Sequence, residues 1–195
     1  MLSHLRPAIV SMVFFTALLG LAYPLAVTGI AQVAFPAQAN GSLIAGKAGG
    51  PVGSALIGQP FAEVRYLHPR PSAAGAGYDA AASSGSNYGP LNEDYAARVK
   101  ADADALRQAG PGAIPVDAVT TSGSGLDPHI SPAYAERQVQ RIAAARDVPP
   151  ARIRAVVAGA TEQPTLGFIG QPRVNVLKAN LALDAALPPA QPPAR

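Results

Sequence analysis

The sequence predicts an α+β protein: a single N-terminal transmembrane helix followed by one small extracytoplasmic α+β domain. Between Arg6 and Lys47, 40 residues carry no charged side chain. Beyond residue 90, apolar residues recur at helical spacing behind recognisable caps. Between these regions lie short pieces cut by Gly, Ser and Pro. Only 14% of the 195 residues are charged against 49% hydrophobic, as in a chain not wholly surrounded by water.

The order of elements follows from these patterns. Residues 1–6 form a cytoplasmic N-terminus and 7–34 the membrane helix, longer than the roughly 20 apolar residues a span needs. Pro24, in Tyr23-Pro24-Leu25, removes an internal hydrogen bond and predicts a kink. Small residues make helix contacts in lipid, so Gly20, with Ala17 three residues before it, marks the packing face. Arg6 and His4 precede the run and no Lys or Arg follows until Lys47, which places the N-terminus inside. Ala37-Gln38-Ala39 has the form of a signal-peptidase site, yet the apolar run is nearly double a normal h-region of about 7–15 residues. A retained anchor is therefore preferred over cleavage. In either case residues 35–187 lie outside the cytoplasm.

Within 35–187, Ser54–Ile57 and Val64–Leu67 read as short β-like pieces. Asn92 caps a helix carrying Glu93 and Asp94 in its first turn, with Gly110 past its end. Its inner face is Tyr95, Val99, Ala103 and Leu106. Ser131-Pro132 starts a second helix. Its stripe is Ala135, Val139, Ile142 and Ala143, with Arg137 and Arg141 outward. Pro149-Pro150 starts a third, with Ile153, Val156 and Val157 inward. Val174–Leu187 reads equally as helix or strand. Residues 188–195 are a Pro-rich tail expected to be disordered.

The chemistry of this chain begins with exclusions. No Cys is present, so disulfides, thiolate metal sites and cysteine nucleophiles are ruled out. The 15 Lys and Arg are balanced by 12 Asp and Glu and well mixed, which argues against nucleic acid. Gly41–Lys47 matches G-x-x-x-x-G-K, but Ala48 replaces the Mg²⁺-binding hydroxyl and no strand precedes it, so a flexible exit from the membrane is the better reading. Serine-hydrolase motifs are missing, and His4, His68 and His129 are too dispersed for a zinc site. Asp102 and Asp104 read as a solvated helix face. Asn40-Gly41-Ser42 fits a glycosylation sequon beside the membrane. No cofactor or metal is assigned to the chain itself.

Two polar, turn-rich segments remain, Ser83–Asn87 and Thr120–Gly125, the second running into Leu126-Asp127-Pro128-His129. Small hydroxylated residues make a poor core, so this stretch is either a solvated turn or a polar interface. The interface reading makes Ser122, Ser124, Asp127 and His129 a hydrogen-bonded hub. Arg70, fixed between Pro69 and Pro71, suits an interface cation as well as a surface charge. A local Asp127–His129 acid–base pair is the only candidate for catalysis by a periplasmic enzyme; a free-standing binding domain is the other alternative.

The ordered segments resemble the C subunit of the Kdp potassium-transporting P-type ATPase of bacteria and archaea. They are Tyr23-Pro24-Leu25, Gly41–Ile44, Ile57-Gly58-Gln59 with Phe61, Arg70–Ala73, Ser83–Asn87, Thr120–Pro132, Gly170–Leu177 and Asn180–Asp184. Leu67-His68, where aromatics are expected, and Ala160 before Thr161-Glu162 depart from the pattern. The resemblance implies a single-span accessory subunit of the cytoplasmic membrane, partnered by lipid, a channel-like potassium-binding subunit and a P-type ATP-hydrolysing subunit. ATP, Mg and K then belong to the complex. The family role is a catalytic chaperone that raises the ATP affinity of the pump subunit. With the N-terminus inside, the Ser-Gly-Ser segments lie across the bilayer from ATP, so coupling is expected to be indirect.

Overall fold

The structure, a computed structural model, describes residues 4–46 and 49–187. Lys47 and Ala48 of the loop match and the tail 188–195 lie outside the described residues. The chain divides into two compact units, Met1–Ser54 and Ala55–Arg195.

The first unit is built on a helical run from Leu5 to Ala34, 30 residues long and apolar enough to cross a membrane. It comprises α1 (Leu5–Ala17), a π-helical turn (Leu18–Ala22) and α2 (Tyr23–Ala34). Pro24 has no N–H to give Gly20, and the ladder adjusts one residue earlier, where Tyr23 N–H reaches the Leu18 carbonyl. A short α3 (Pro36–Ala39) turns the chain into an antiparallel hairpin of β1 (Leu43–Ala45) and β2 (Pro51–Ser54). Within the region expected to be a flexible exit, Leu43–Ala45 is one strand of this hairpin, and Ser54 Oγ donates to the Gly41 carbonyl at 2.7 Å. A strand, not a helix, follows the G-x-x-x-x-G segment. Ser54 closes β2, and the rest of the expected β-like piece, Ala55–Ile57, is turn.

The second unit carries the helices α4 (Glu93–Ala109), α5 (Pro132–Arg146), α6 (Pro150–Gly159) and α7 (Val176–Ala186). A three-stranded antiparallel sheet joins them, with β5 (Arg173–Asn175) between β3 (His129–Ile130) and β4 (Thr161–Glu162). Caps explain the helix starts. Asn92 Oδ1 accepts from Tyr95 N–H at 3.0 Å, Ser131 Oγ from Tyr134 N–H at 3.0 Å, and Asn175 Oδ1 from Lys178 N–H at 3.1 Å. The helix-or-strand ambiguity of Val174–Leu187 resolves into both, because β5 runs directly into α7 at Asn175. Ala135, Val139, Ile142 and Ala143 are buried against Ile153, Val157, Val174 and Leu183. Full burial of each larger aliphatic among them contributes about 1.5–3 kcal/mol. Along α4 the inner face is only half-buried, with Leu106 packed against the core.

Two expectations fail for the same reason. Val64–Tyr66 is turn or bend and Leu67 is irregular, so no strand forms, and side-chain amides replace a neighbouring strand there. Asn180 accepts from Leu67 N–H (2.8 Å) and donates to its carbonyl (3.0 Å); Gln138 does the same for His68 (2.7 and 3.0 Å). Arg137 and Arg141, expected outward, are half-buried and fasten loops. Arg137 donates to the carbonyls of Leu106 and Gly110, at 2.6 and 2.7 Å, and Arg141 to that of Tyr66 at 3.0 Å. Their long stems cover the apolar stripe while the guanidinium heads find carbonyls.

Candidate functional site

The second unit brings Arg70, Asp127 and His129 together. Arg70 Nη1 donates to Asp127 Oδ2 at 2.9 Å, while Nε and Nη2 reach the carbonyls of Thr120 and Thr121, both at 3.2 Å. Asp127 Oδ1 accepts from His129 N–H at 2.9 Å, the Asx turn that Asp-Pro-His favours. The His129 ring lies between two carboxylates, with Nδ1 3.4 Å from Asp127 Oδ1 and Nε2 3.4 Å from Glu162 Oε2. Glu162 is held in turn by Arg173 (3.0 Å) and Lys178 (2.9 Å). Asn175 Nδ2 sits 3.4 Å from His129 Nε2 and donates to the Ala55 carbonyl at 2.9 Å.

Ser122 and Ser124 form a neighbouring group. Their hydroxyls lie 3.3 Å apart, and Ser124 Oγ accepts from Leu126 N–H at 3.1 Å. The Ser124 carbonyl accepts from Ser84 N–H and Ser83 Oγ, each at 3.0 Å, so the two polar segments are stitched together. Gly20 belongs to the other unit; a Cβ there would meet only Thr16, at 3.9 Å. Asp102 and Asp104, expected on a solvated face, pair along the surface of α4 with Arg98 and Lys100.

Several members of the cluster escaped sequence reasoning. Ser72 Oγ donates to the Gly125 carbonyl at 2.6 Å and accepts from Tyr78 N–H at 2.8 Å. The Tyr78 hydroxyl donates to the Arg70 carbonyl, and burial drives that phenol well above its usual pKa. Glu162 and Asn175 stood inside quoted segments, but only the pairing of β5 with both β3 and β4 shows that they flank His129.

The electrostatics favour ionised carboxylates. Burial alone would raise Asp127, but hydrogen bonds from the ring and backbone of His129, and then from Arg70, hold it below the usual carboxylate range. The Lys178 hydrogen bond outweighs desolvation at Glu162 and, with Arg173, lowers it too. A lowered folded-state value stabilises the fold above the unfolded pKa of about 4 and loses that contribution as pH falls through the folded value. Thermal unfolding of the full chain in detergent is therefore expected to show falling stability below about pH 4, with a shallower fall for Asp127→Asn. Parallel curves for the two would remove Asp127 from the linkage.

The cluster walls one side of an open cleft of about 560 Å³, lined by Arg70, Asp127, His129, Ser131, Gln171 and Arg173 among others. Ser131 is committed there, its N–H and Oγ both donating to Asp117, at 2.6 and 2.9 Å. Among the described residues, no group of three or more His, Asp or Glu is placed to hold a metal ion. Charges of both signs are paired and the backbone is pinned on several sides. The arrangement presents fixed polar groups.

The fold joins a helix long and apolar enough to cross a membrane to a small α+β domain that carries a polar cluster on its surface. The family model for the K+-transporting ATPase c chain, KdpC, matches residues 5–185, and the chain belongs to that family, part of a potassium-transporting pump. It is 69% identical over 190 residues to the potassium-transporting ATPase KdpC subunit of Caulobacter vibrioides (strain NA1000 / CB15N), covering 97% of this chain and 96% of that one. The KdpC subunit of Beijerinckia indica subsp. indica is 59% identical over 196 residues, with 99% of both chains covered. That of Rhodopseudomonas palustris is 53% identical over 201 residues, covering 96% and 100%.

Proposed function

We propose that the chain is a non-catalytic subunit of a potassium-import pump, anchored with its N-terminus in the cytoplasm and its domain outside. The domain caps the outer face of the channel-like subunit and steadies the potassium entrance. It holds no nucleotide or metal itself; ATP and Mg act at the P-type subunit and K in the channel-like one. Any effect on ATP affinity passes through the membrane subunits as a coupling free energy. The Ala17–Gly20 face of the span packs against them. The observation that carries this reading is the pinned Arg70–Asp127–His129–Glu162 array, a preformed polar surface with its charges already compensated.

Two measurements test it. A Ser122→Cys variant on intact cells should react with an impermeant thiol reagent; reaction only after lysis would reverse the topology. In the assembled pump, Asp127→Ala should lower potassium-stimulated ATP hydrolysis about fivefold or more, the lower range of ordinary allosteric coupling. Its subunits should still co-purify, because the side chain is partly exposed and outside the core. Unchanged hydrolysis would show the array to be inert.

A further inference from the structure

Two cations of the second unit stand apart from the others. Arg65, Arg70, Arg98 and Arg146 are buried or half-buried, and each meets a carboxylate at 2.8–3.2 Å. Arg137 and Arg141 are half-buried too, yet among the described residues neither is ion-paired. Their guanidinium groups donate to neutral acceptors, Arg137 to the Leu106 and Gly110 carbonyls and Arg141 to the Tyr66 carbonyl and Gln138 Oε1. Carbonyl dipoles satisfy N–H groups but leave the net charge, and burying a charge without a counter-ion is costly. Burial lowers the Arg141 pKa from its ordinary value, and no carboxylate offsets it. The two carboxylates felt at neighbouring Tyr134, Asp117 and Asp102, are committed to Ser131 and Arg98.

Both arginines line one cleft of about 490 Å³, bounded by α5 and the C-terminal half of α4 and within the size range of small-molecule pockets. Tyr134, Arg137 and Arg141 fall on one face of α5, at spacing i, i+3, i+7. Ala105, Leu106 and Ala109 of α4 give the cleft an apolar wall. Tyr134 is only 6% exposed, and burial raises its pKa, so the phenol keeps its proton as a donor. Among the described residues, the Tyr134 hydroxyl, Arg137 Nε and Arg141 Nε have no hydrogen-bond partner, and none of the three is sealed from solvent. Three open donors beside two positive charges suit the two oxygens of a single carboxylate. A polyphosphate would bring more charge and more acceptors than they can meet. The apolar wall suits a small hydrocarbon body attached to that carboxylate.

We infer that the α4–α5 cleft binds a small organic carboxylate, its oxygens held by Arg137, Arg141 and the Tyr134 hydroxyl and its apolar part resting on Ala105, Leu106 and Ala109. The cleft shares no lining residue with the one beside the Arg70–Asp127–His129 cluster, and the inference does not depend on the assembly proposed above. The test titrates para-fluorobenzoate into the full chain in a mild non-ionic detergent, followed by fluorine NMR, with micelles alone as the baseline. One saturable site is expected, and unlabelled benzoate should displace the probe. Acetate and inorganic phosphate, which lack the apolar part, and benzyl alcohol, which lacks the charge, should each compete about tenfold less well or worse. Tyr134→Phe should weaken binding about tenfold with thermal unfolding unchanged, because the lost hydroxyl has no partner within the fold. Arg154→Ala, which removes an exposed cation outside the cleft, should bind as the wild type does. No saturable binding would overturn the inference. So would phosphate that competes as well as benzoate, a Tyr134→Phe chain that binds undiminished, or binding lost in Arg154→Ala, which would mean unspecific attraction to surface charge.

Discussion

Arg146→Ala is expected to remove about 3–5 kcal/mol of stability, a large share of what a domain of this size possesses. The Arg146 side chain, near the end of α5, is 1% exposed and paired with Asp184 at 2.8 Å. Its Nε donates to the Arg65 carbonyl at 2.9 Å, and Nη1 donates to those of Leu183 and Leu187 at 3.3 and 2.6 Å. The guanidinium carbon lies 5.4 Å from the Tyr66 ring centroid, and the Tyr66 hydroxyl donates to the other Asp184 oxygen at 2.8 Å. One buried cation thus ties α5 to the end of α7 and to the segment around Tyr66. Truncation takes this donor from the Arg65 and Leu187 carbonyls and leaves the Asp184 carboxylate with the Tyr66 hydroxyl but without its cation, so most of the loss is desolvation left uncompensated. Arg146→Lys should recover little, because a point charge cannot span acceptors that the planar fork reaches together. Arg154→Ala, which removes an exposed, solvent-screened pair with Glu136, should cost little. Urea unfolding of the full chain in mild detergent measures all three. A cost near that of Arg154→Ala would show that Arg146 does not organise the junction.

The contrast between Arg146 and the rest of α5 shows where the sequence was legible. Ser131-Pro132 announced the helix start, and the 3.6-residue period of Ala135, Val139, Ile142 and Ala143 announced its buried face. Caps and periodicity depend on neighbours within a few residues, so no tertiary knowledge was required. Arg146 continues that stripe, three residues after Ala143. A cation at an apolar stripe position was a signal that something acidic must meet it, and Asp184 stood in plain view within Asn180–Asp184. What the sequence could not supply was the partner's approach from 38 residues away. The end of Val64–Leu67, expected as strand, and His68 after it were misread for a related cause. Its hydrogen bonds go to Asn180 and Gln138 side chains on two helices, a pairing with no local periodicity to betray it.

The polar cluster divides the same way. Asp127-Pro128-His129 is a local turn, readable from its residue types. Arg70 was marked by its flanking prolines, but its 57-residue separation from Asp127 was not. Glu162 and Asn175 reach His129 only because β5 pairs with β3 on one side and β4 on the other, and strands of two or three residues are too short to show an alternating pattern. Composition marked Thr120–Gly125 as a poor core. It did not reveal which of its glycines is required.

That distinction yields a prediction of comparable size to the first. Gly125→Ala should destabilise the chain by about 2–4 kcal/mol, from overpacking together with a positive φ, while Gly123→Ala should be nearly silent. Both glycines sit in the same Ser122-Gly123-Ser124-Gly125 run, yet their surroundings differ. Gly125 has φ 67°, and a Cβ there would lie 2.6 Å from Ala74 N and 2.7 Å from the Ser84 carbonyl, with the Ala74 Cβ at 3.0 Å. The first two neighbours are backbone, and both belong to segments pinned elsewhere: Ser84 N–H to the Ser124 carbonyl at 3.0 Å, and Ala74 N–H to Ser72 Oγ at 3.2 Å. Neither can move without breaking the stitch that also holds the Gly125 carbonyl to Ser72. A Cβ on Gly123 would meet nothing within 4 Å. Loss of the Gly125 packing should therefore loosen Ser72, and through Tyr78 the carbonyl of Arg70. In the assembled pump Gly125→Ala should accordingly reproduce the Asp127→Ala defect in potassium-stimulated hydrolysis, and Gly123→Ala should not. Thermal melting of the two variants beside the wild type, followed by hydrolysis assays on those still folded at the assay temperature, decides it. Equal melting points for the two would mean that the close approach of the three segments does not hold this surface in place.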